Sequence, residues 1–214
     1  MTKKDRPATL GSMNDDRIRK IVTAGVFSAL VIVLGVTNLG FILLPLGAIT
    51  VLQVPVIIGA ILEGPGVGVF IGLLFGIFSI VQAAIIGVTP ADLAFLHYPW
   101  IAIVPRILIG PAAWFVHSLI GGTLFRGGKS SRQSGLARET AAVAAGAVTG
   151  SLINTILVLS SFALFLPDVI SWQIVIGLAS LNGPVEAGFS AAISLAVILP
   201  WKGISRRKGS RLNA

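Results

Sequence analysis

Long apolar runs are the feature of this sequence that most limits the folds open to it. A helix needs about 20 apolar residues to cross a bilayer, a length that five of the runs reach and the second does not. Only 11% of the 214 residues are charged, whereas soluble domains carry roughly 25%. We therefore predict an all-α integral membrane protein with six transmembrane helices, formed by Ile21–Leu44, Val51–Leu62, Val67–Ile86, Pro99–Leu124, Thr140–Leu166 and Trp172–Pro200.

The polar ends of the chain set the predicted domain limits. We expect basic tails at residues 1–20 and 201–214, on either side of one membrane domain at residues 21–200. The first run is too long for a signal-peptide core, so it is expected to be a retained span. Asn182-Gly183-Pro184 interrupts the last run. That run is either one helix or a loop followed by a span from Gly183, because proline is tolerated in a first helical turn.

The distribution of Lys and Arg predicts the orientation. If the N-terminus is cytoplasmic and there are six spans, both tails and the 125–138 loop share the cytoplasmic side. Of the 16 cations, all except Arg106 then lie on that side. The opposite side carries Asp92 and Asp168 but no cation, which is the positive-inside pattern. We therefore predict cytoplasmic termini and no nucleic-acid partner, since these cations lack the interleaved aromatic residues of a nucleic-acid surface.

Several kinds of chemistry are missing from the sequence. The chain has no Cys and two His, which excludes disulfides and thiol nucleophiles and leaves little metal chemistry. Gly128-Lys129-Ser130 resembles part of a P-loop, but Thr123 stands where that motif needs glycine. His-Glu-x-x-His and Gly-x-Ser-x-Gly are also absent. We therefore expect no enzyme activity, no cofactor and no metal.

Polar residues inside apolar runs are the candidates for a binding site. Arg106 is the strongest, because an arginine inside a span costs about 2.5–3.5 kcal/mol on insertion scales and should face a cavity or a partner. The alternative is a snorkelling or structural arginine near a helix end. Glu186 either lines the same cavity or forms an ion pair with Arg106. Asn182, one helical turn before Glu186, either joins it or caps a helix.

A further amide lies in the fifth run, at the end of a small-residue ridge formed by Ala142, Gly146 and Gly150. Such a ridge lets a neighbouring helix pack closely. Asn154 therefore either lines a site or forms hydrogen bonds between helices. Weaker candidates are Gln82, His97, Tyr98 and Trp100. The last three also fit an aromatic belt at the membrane boundary. The whole set suggests a pocket for a small solute that opens outward.

Other small residues recur at helical spacing and favour close helix packing. The third run carries Gly68, Gly72 and Gly76, for which packing inside the protein is the simplest interpretation. The first run carries two such pairs, which are Ala24 with Ser28 and Gly25 with Ala29.

The order of motifs along the chain resembles that of the substrate-binding S components of energy-coupling factor (ECF) transporters. As an ordered set these motifs are specific, although each alone is weak. They are the segment Ile49–Pro65, which reads ITVLQVPVIIGAILEGP, and then Phe75–Ser79, Val104–Gly110, Gly150–Thr155 and Asn182–Ala187.

This resemblance implies a six-helix protein of the prokaryotic plasma membrane that captures a vitamin on its outer side. It implies docking on an energising module of one transmembrane coupling protein and two ATPase subunits. The small residues of the first helix, Ala24, Gly25, Ser28 and Ala29, are the implied contact face. The motifs look most like those of pantothenate-type members. The alternatives are an S component for another vitamin such as cobalamin and a membrane structural or assembly protein without a ligand.

Overall fold

The computed structural model describes residues 10–37, 39–44, 47–86, 90–122, 132–167 and 170–212. Within these ranges the chain forms helices and one β-hairpin. In chain order the elements are α1 (Leu10–Val36), β1 (Phe41–Leu44), β2 (Gly47–Thr50), α2 (Gln53–Glu63), α3 (Pro65–Ile86), α4 (Pro90–His97), α5 (Pro99–Gly122), α6 (Arg132–Phe165) and α7 (Trp172–Leu212).

Five helices, α1, α3, α5, α6 and α7, are long and apolar enough to cross a membrane. The prediction of a helical membrane protein is therefore confirmed. Helix α2 has 11 residues and a length of about 16 Å at 1.5 Å per residue. That length is about half of a hydrocarbon core of roughly 30 Å.

The first apolar run differs from the prediction of one span to Leu44. Helix α1 ends at Val36, and β1 then pairs antiparallel with β2, with Phe41 opposite Thr50. Gly40 N donates to Leu34 O (2.9 Å), which ties the hairpin to the helix, and Val51 N donates to Gly40 O (2.9 Å), which joins the two ends of the hairpin. Apolarity alone did not reveal this break, because strands and helices bury the same kinds of side chain.

The last apolar run is one unbroken helix. Helix α7 contains Pro184 and Pro200 within its length, so the alternative of a loop before Gly183 is wrong, and so is an N-cap role for Asn182. Because proline has no N–H, Pro184 cannot make the helical hydrogen bond to the carbonyl of Ser180, four residues earlier. Membrane helices tolerate this loss because neighbouring groups can satisfy the freed carbonyl.

Glycines bring α3 and α5 into close backbone contact. A Cβ atom at Gly72 would lie 2.2 Å from Arg106 O, and one at Gly68 would lie 2.8 Å from Gly110 Cα. On α6, a Cβ at Gly146 would lie 2.7 Å from Ala113 O. The glycine spacings of the third and fifth runs therefore serve packing inside the protein, as predicted.

Helix α2 is surrounded by the rest of the bundle. Val56, Ile57 and Ala60 are fully buried, and the helix contacts α1, α3, α5, α6 and α7. Its last residue, Glu63, lies beside Arg19 of α1 at one end of the bundle. Because α2 covers only about half of a membrane thickness, its first residue, Gln53, lies near the middle of the bundle.

Candidate functional site

Gln53 is the centre of a buried polar network. Its Nε2 donates to Ser151 Oγ (2.6 Å) and Ser190 Oγ (3.3 Å), and its Oε1 accepts from Asn154 Nδ2 (2.7 Å). All of these side chains are buried. The network joins the start of α2 to α6 and α7 at mid-depth. Asn154 Oδ1 is buried and has no hydrogen-bond partner among the described residues.

Glu186 lies beside this network, one helical turn before Ser190 on α7. Its Oε1 accepts from Thr50 N at 3.0 Å, and its Oε2 lies 2.7 Å from Thr155 Oγ1. The residue is 5% exposed. Its partners in the described part of the chain are therefore neutral groups from the hairpin and α6. The ion pair with Arg106, one of the two alternatives for Glu186, is not formed.

Arg106 is held by aromatic faces and one carbonyl. Its guanidinium carbon lies 5.4 Å from the ring centroid of Phe75 and 5.0 Å from that of Phe95, and its Nη1 donates to Ile101 O at 3.1 Å. Aromatic faces attract a cation but accept no strong hydrogen bond. The residue is 7% exposed, so its guanidinium does not snorkel to the surface. Its Nε is buried and has no hydrogen-bond partner among the described residues.

Three other candidates lie near the start of α5. Tyr98, Trp100 and Phe165 form an aromatic cluster, with ring centroids 5.4 Å apart for Tyr98–Trp100 and 6.0 Å apart for Trp100–Phe165. His97 is exposed, and its Nδ1 lies 3.0 Å from Leu93 O. These residues are at the end of the bundle that carries the hairpin and α4.

The last two candidates take different positions. Asn182 is half-buried on α7, one turn before Glu186 and on the same helix face. Gln82 is half-buried in a groove of about 240 Å³ between α1 and α3, lined also by Gly35, Val36 and Phe78. The structure therefore places Asn182 on the helix face that carries Glu186 and Gln82 in a separate groove.

At the opposite end, a cluster that we call the ion cluster joins α5, α6 and α7. It consists of His117, Glu139 and Lys202. Glu139 Oε1 contacts Lys202 Nζ and lies 3.2 Å from His117 Nε2. Nearby, the buried Glu63 carboxylate accepts from Arg19 Nε at 3.1 Å. The sequence analysis did not single out these pairs.

The small residues of α1 separate into two faces. Ala24 and Ser28 are buried inside the protein. Gly25 and Ala29 are exposed, and a Cβ atom at Gly25 would meet no described atom within 4 Å. Packing within the chain therefore does not require glycine at position 25. Of the two pairs of small residues, only Gly25 and Ala29 are exposed within the described part of α1.

Five polar residues of the interior were not predicted from the sequence. They are Thr50, Gln53, Ser151, Thr155 and Ser190. One signal was present, because Asn182, Glu186 and Ser190 recur every four residues and so share a helix face. For Gln53 the signal was weaker. It is a polar residue at the start of an apolar run, a position that equally fits a membrane boundary.

A membrane bundle with an unpaired arginine, a carboxyl group and amides in its interior has the chemistry of a solute-binding membrane protein. The chain belongs to the ECF transporter family of substrate-specific components, whose model matches residues 19–199. It is 34% identical over 164 residues to the pantothenic acid transporter PanT of Lactococcus lactis subsp. cremoris, an alignment that covers 70% of this chain and 72% of that protein. The resemblance inferred from the motifs is confirmed, and the chain is a multi-pass protein of the cell membrane.

Proposed function

We propose that this protein binds pantothenate and delivers it for ATP-driven uptake. Its similarity to a pantothenic acid transporter supports this substrate. The observation that carries the proposal is Arg106, a buried cation that has a free donor and aromatic neighbours instead of a carboxylate. Pantothenate has a carboxylate for this arginine, and its amide and hydroxyls suit Asn154, Asn182 and Glu186. A charge-assisted, two-pronged arginine contact would give both affinity and orientation.

The proposed topology places the hairpin end outside and the ion cluster inside. Residues 21–200 would then form the membrane domain, and the hairpin followed by α2 would make the second of six crossings. The positive-inside rule supports this orientation, because Arg17, Arg19, Lys20, Arg138 and Lys202 lie at the end with the ion cluster. The aromatic cluster of Tyr98 and Trp100 would lie at the outer boundary, where such residues are common.

We further propose that the chain itself has no ATPase activity and docks on a coupling protein and two ATPases. Gly25 and Ala29 would meet the coupling protein, since small exposed residues allow close helix contact in lipid. Gly25→Leu should leave pantothenate binding intact and stop uptake in cells that contain the whole transporter. Loss of binding along with uptake would instead assign Gly25 a role in folding.

The test of the substrate is calorimetric titration of the purified protein with pantothenate and pantothenol. Pantothenol carries an alcohol in place of the carboxylate, so it isolates the contact with Arg106. Pantothenate should bind and pantothenol should bind much more weakly. Equal affinity for the two, or binding of cobalamin instead, would contradict the proposal. Native mass spectrometry of protein purified without added ligand gives an independent identification of any bound solute.

A further inference from the structure

We propose that Glu186 is protonated in this arrangement, and that its neutral carboxyl group donates a hydrogen bond to Thr155. Burial, hydrogen-bond accounting and the position of the cations support this inference. It concerns the protein without ligand. Arg106 would then be the one charged group among the described interior residues at this depth.

Thr155 has more hydrogen-bond acceptors within reach than its single hydroxyl hydrogen can serve. Its Oγ1 lies 2.7 Å from Glu186 Oε2 and 3.2 Å from Ser151 O, the carbonyl four residues earlier on α6. A hydroxyl has one hydrogen and cannot donate fully to both oxygens. Threonine in a helix commonly donates to the carbonyl four residues earlier. If Thr155 does so, the hydrogen between Thr155 and Glu186 must come from the carboxyl group.

A protonated Glu186 satisfies every group in this chain of contacts. Its Oε2–H donates to Thr155 Oγ1, whose own hydrogen goes to Ser151 O. Its Oε1 accepts from Thr50 N at 3.0 Å. An ionised Glu186 would accept the threonine hydrogen, which leaves Ser151 O with only the helical N–H of Thr155, and the charge would rest on two neutral donors. Burying a charge without an opposite charge is costly.

No cation compensates Glu186 within the described residues. The elements packed against this part of α7 are α6, α2 and β2, and the groups that face Glu186 from α6 and β2 are Thr155 and Thr50. The charged side chains described on α2, α6 and α7 are Glu63, Arg138, Glu139 and Lys202, all at the end with the ion cluster. On α5, Arg106 faces Phe75 and Phe95.

If the proposed function is right, the protonation of Glu186 determines which charge of solute the interior favours. A neutral Glu186 leaves the interior with a net positive charge from Arg106. Such a site favours a monoanion over a neutral or zwitterionic solute of the same shape. An ionised Glu186 would cancel that charge and repel a carboxylate.

Infrared spectroscopy of the purified full chain without ligand tests the protonation directly. At pH 7 the wild type should show the C=O band of a protonated carboxyl group, and Glu186→Gln should lack it. Glutamine can donate to Thr155 and accept from Thr50, so its melting temperature should stay close to that of the wild type. The matched control is Glu139→Gln, which replaces an ion-paired glutamate. It should keep the band and melt at a lower temperature.

A wild type without the band, or a band that persists in Glu186→Gln, would overturn the proposal. It would mean that the neutral donors Thr50 N–H and Thr155 O–H suffice to hold an anion. If Glu186→Gln does not fold, Thr155→Val provides the second test. Removal of the acceptor should shift the wild-type band to higher frequency, and an unshifted band would contradict the contact. Neither measurement contains pantothenate, so failure of the proposed function would leave these outcomes unchanged.

Discussion

Two regions of the described chain compensate their ionisable side chains in different ways. At the end with the ion cluster, each buried or half-buried carboxylate has a cation within contact distance, Arg19 for Glu63 and Lys202 for Glu139. In the interior, Arg106 faces aromatic rings and Glu186 faces neutral donors. The paired charges join neighbouring helices. The unpaired polar groups of the interior would leave hydrogen-bonding capacity for the proposed solute.

The cost of burial explains this contrast. Ions near a membrane boundary remain close to water, so a pair there loses little solvation and gains a modest attraction. An isolated ion in the interior loses most of its solvation, and a fold tolerates it only with strong compensation. A buried arginine without an ionic partner therefore indicates function more strongly than an ion pair does.

The largest effect is expected for Arg106→Lys. Lysine keeps the charge but cannot make a two-pronged contact with a carboxylate. Pantothenate affinity should fall by about 1.5–3 kcal/mol, the size of a charged hydrogen bond. Calorimetric titration measures this change. The matched control is Arg19→Lys at the opposite end, which should bind pantothenate as the wild type does. If Arg106→Lys and Arg19→Lys bound pantothenate equally well, Arg106 would have a structural role.

Glu139→Gln should lower stability and leave pantothenate affinity unchanged, the reverse of Arg106→Lys. The ion cluster loses a charged acceptor that serves Lys202 and His117. Its side chains are partly exposed, so we expect the free energy of unfolding to fall by about 1–2 kcal/mol. Thermal unfolding in detergent measures the loss, and titration should give unchanged pantothenate affinity. A marked loss of affinity with normal stability would show that the two regions are coupled.

Asn154→Ala should have a smaller effect on binding. If Asn154 makes one neutral hydrogen bond to the solute, affinity should fall by about 1 kcal/mol. The variant also leaves Gln53 Oε1 without its donor, so stability should decrease as well. Ser151→Ala is the control, because Ser151 Oγ contacts Gln53 and is not proposed to touch the solute. An equal affinity loss in both variants would assign Asn154 a purely structural role.

The sequence predicted the membrane-spanning helices and the unusual residues but not how those residues pair. Arg106, Asn154 and Glu186 stand out because polar groups are rare in apolar runs. Their partners are serines, threonines and backbone groups, which occur throughout membrane helices and carry little signal one by one. The Gln53 network depends on α2 being a half-length helix. That length follows from the hairpin at residues 41–50, which apolar periodicity did not indicate.

The smallest effect is expected for Arg19→Gln. Arg19 contacts Glu63 Oε1 at 3.0 Å, but its side chain is 59% exposed whereas that of Glu63 is 2% exposed. Glutamine can still donate a neutral hydrogen bond to the carboxylate, so the loss should be below about 1 kcal/mol. Salt screens exposed charges, and the difference in unfolding temperature between variant and wild type should therefore shrink as salt rises. A difference that is large and independent of salt would show that the Arg19–Glu63 pair acts as a desolvated ion pair. Glu63 would then be a desolvated charge at the ion-paired end, and the contrast between a solvated end and a desolvated interior would not hold for it.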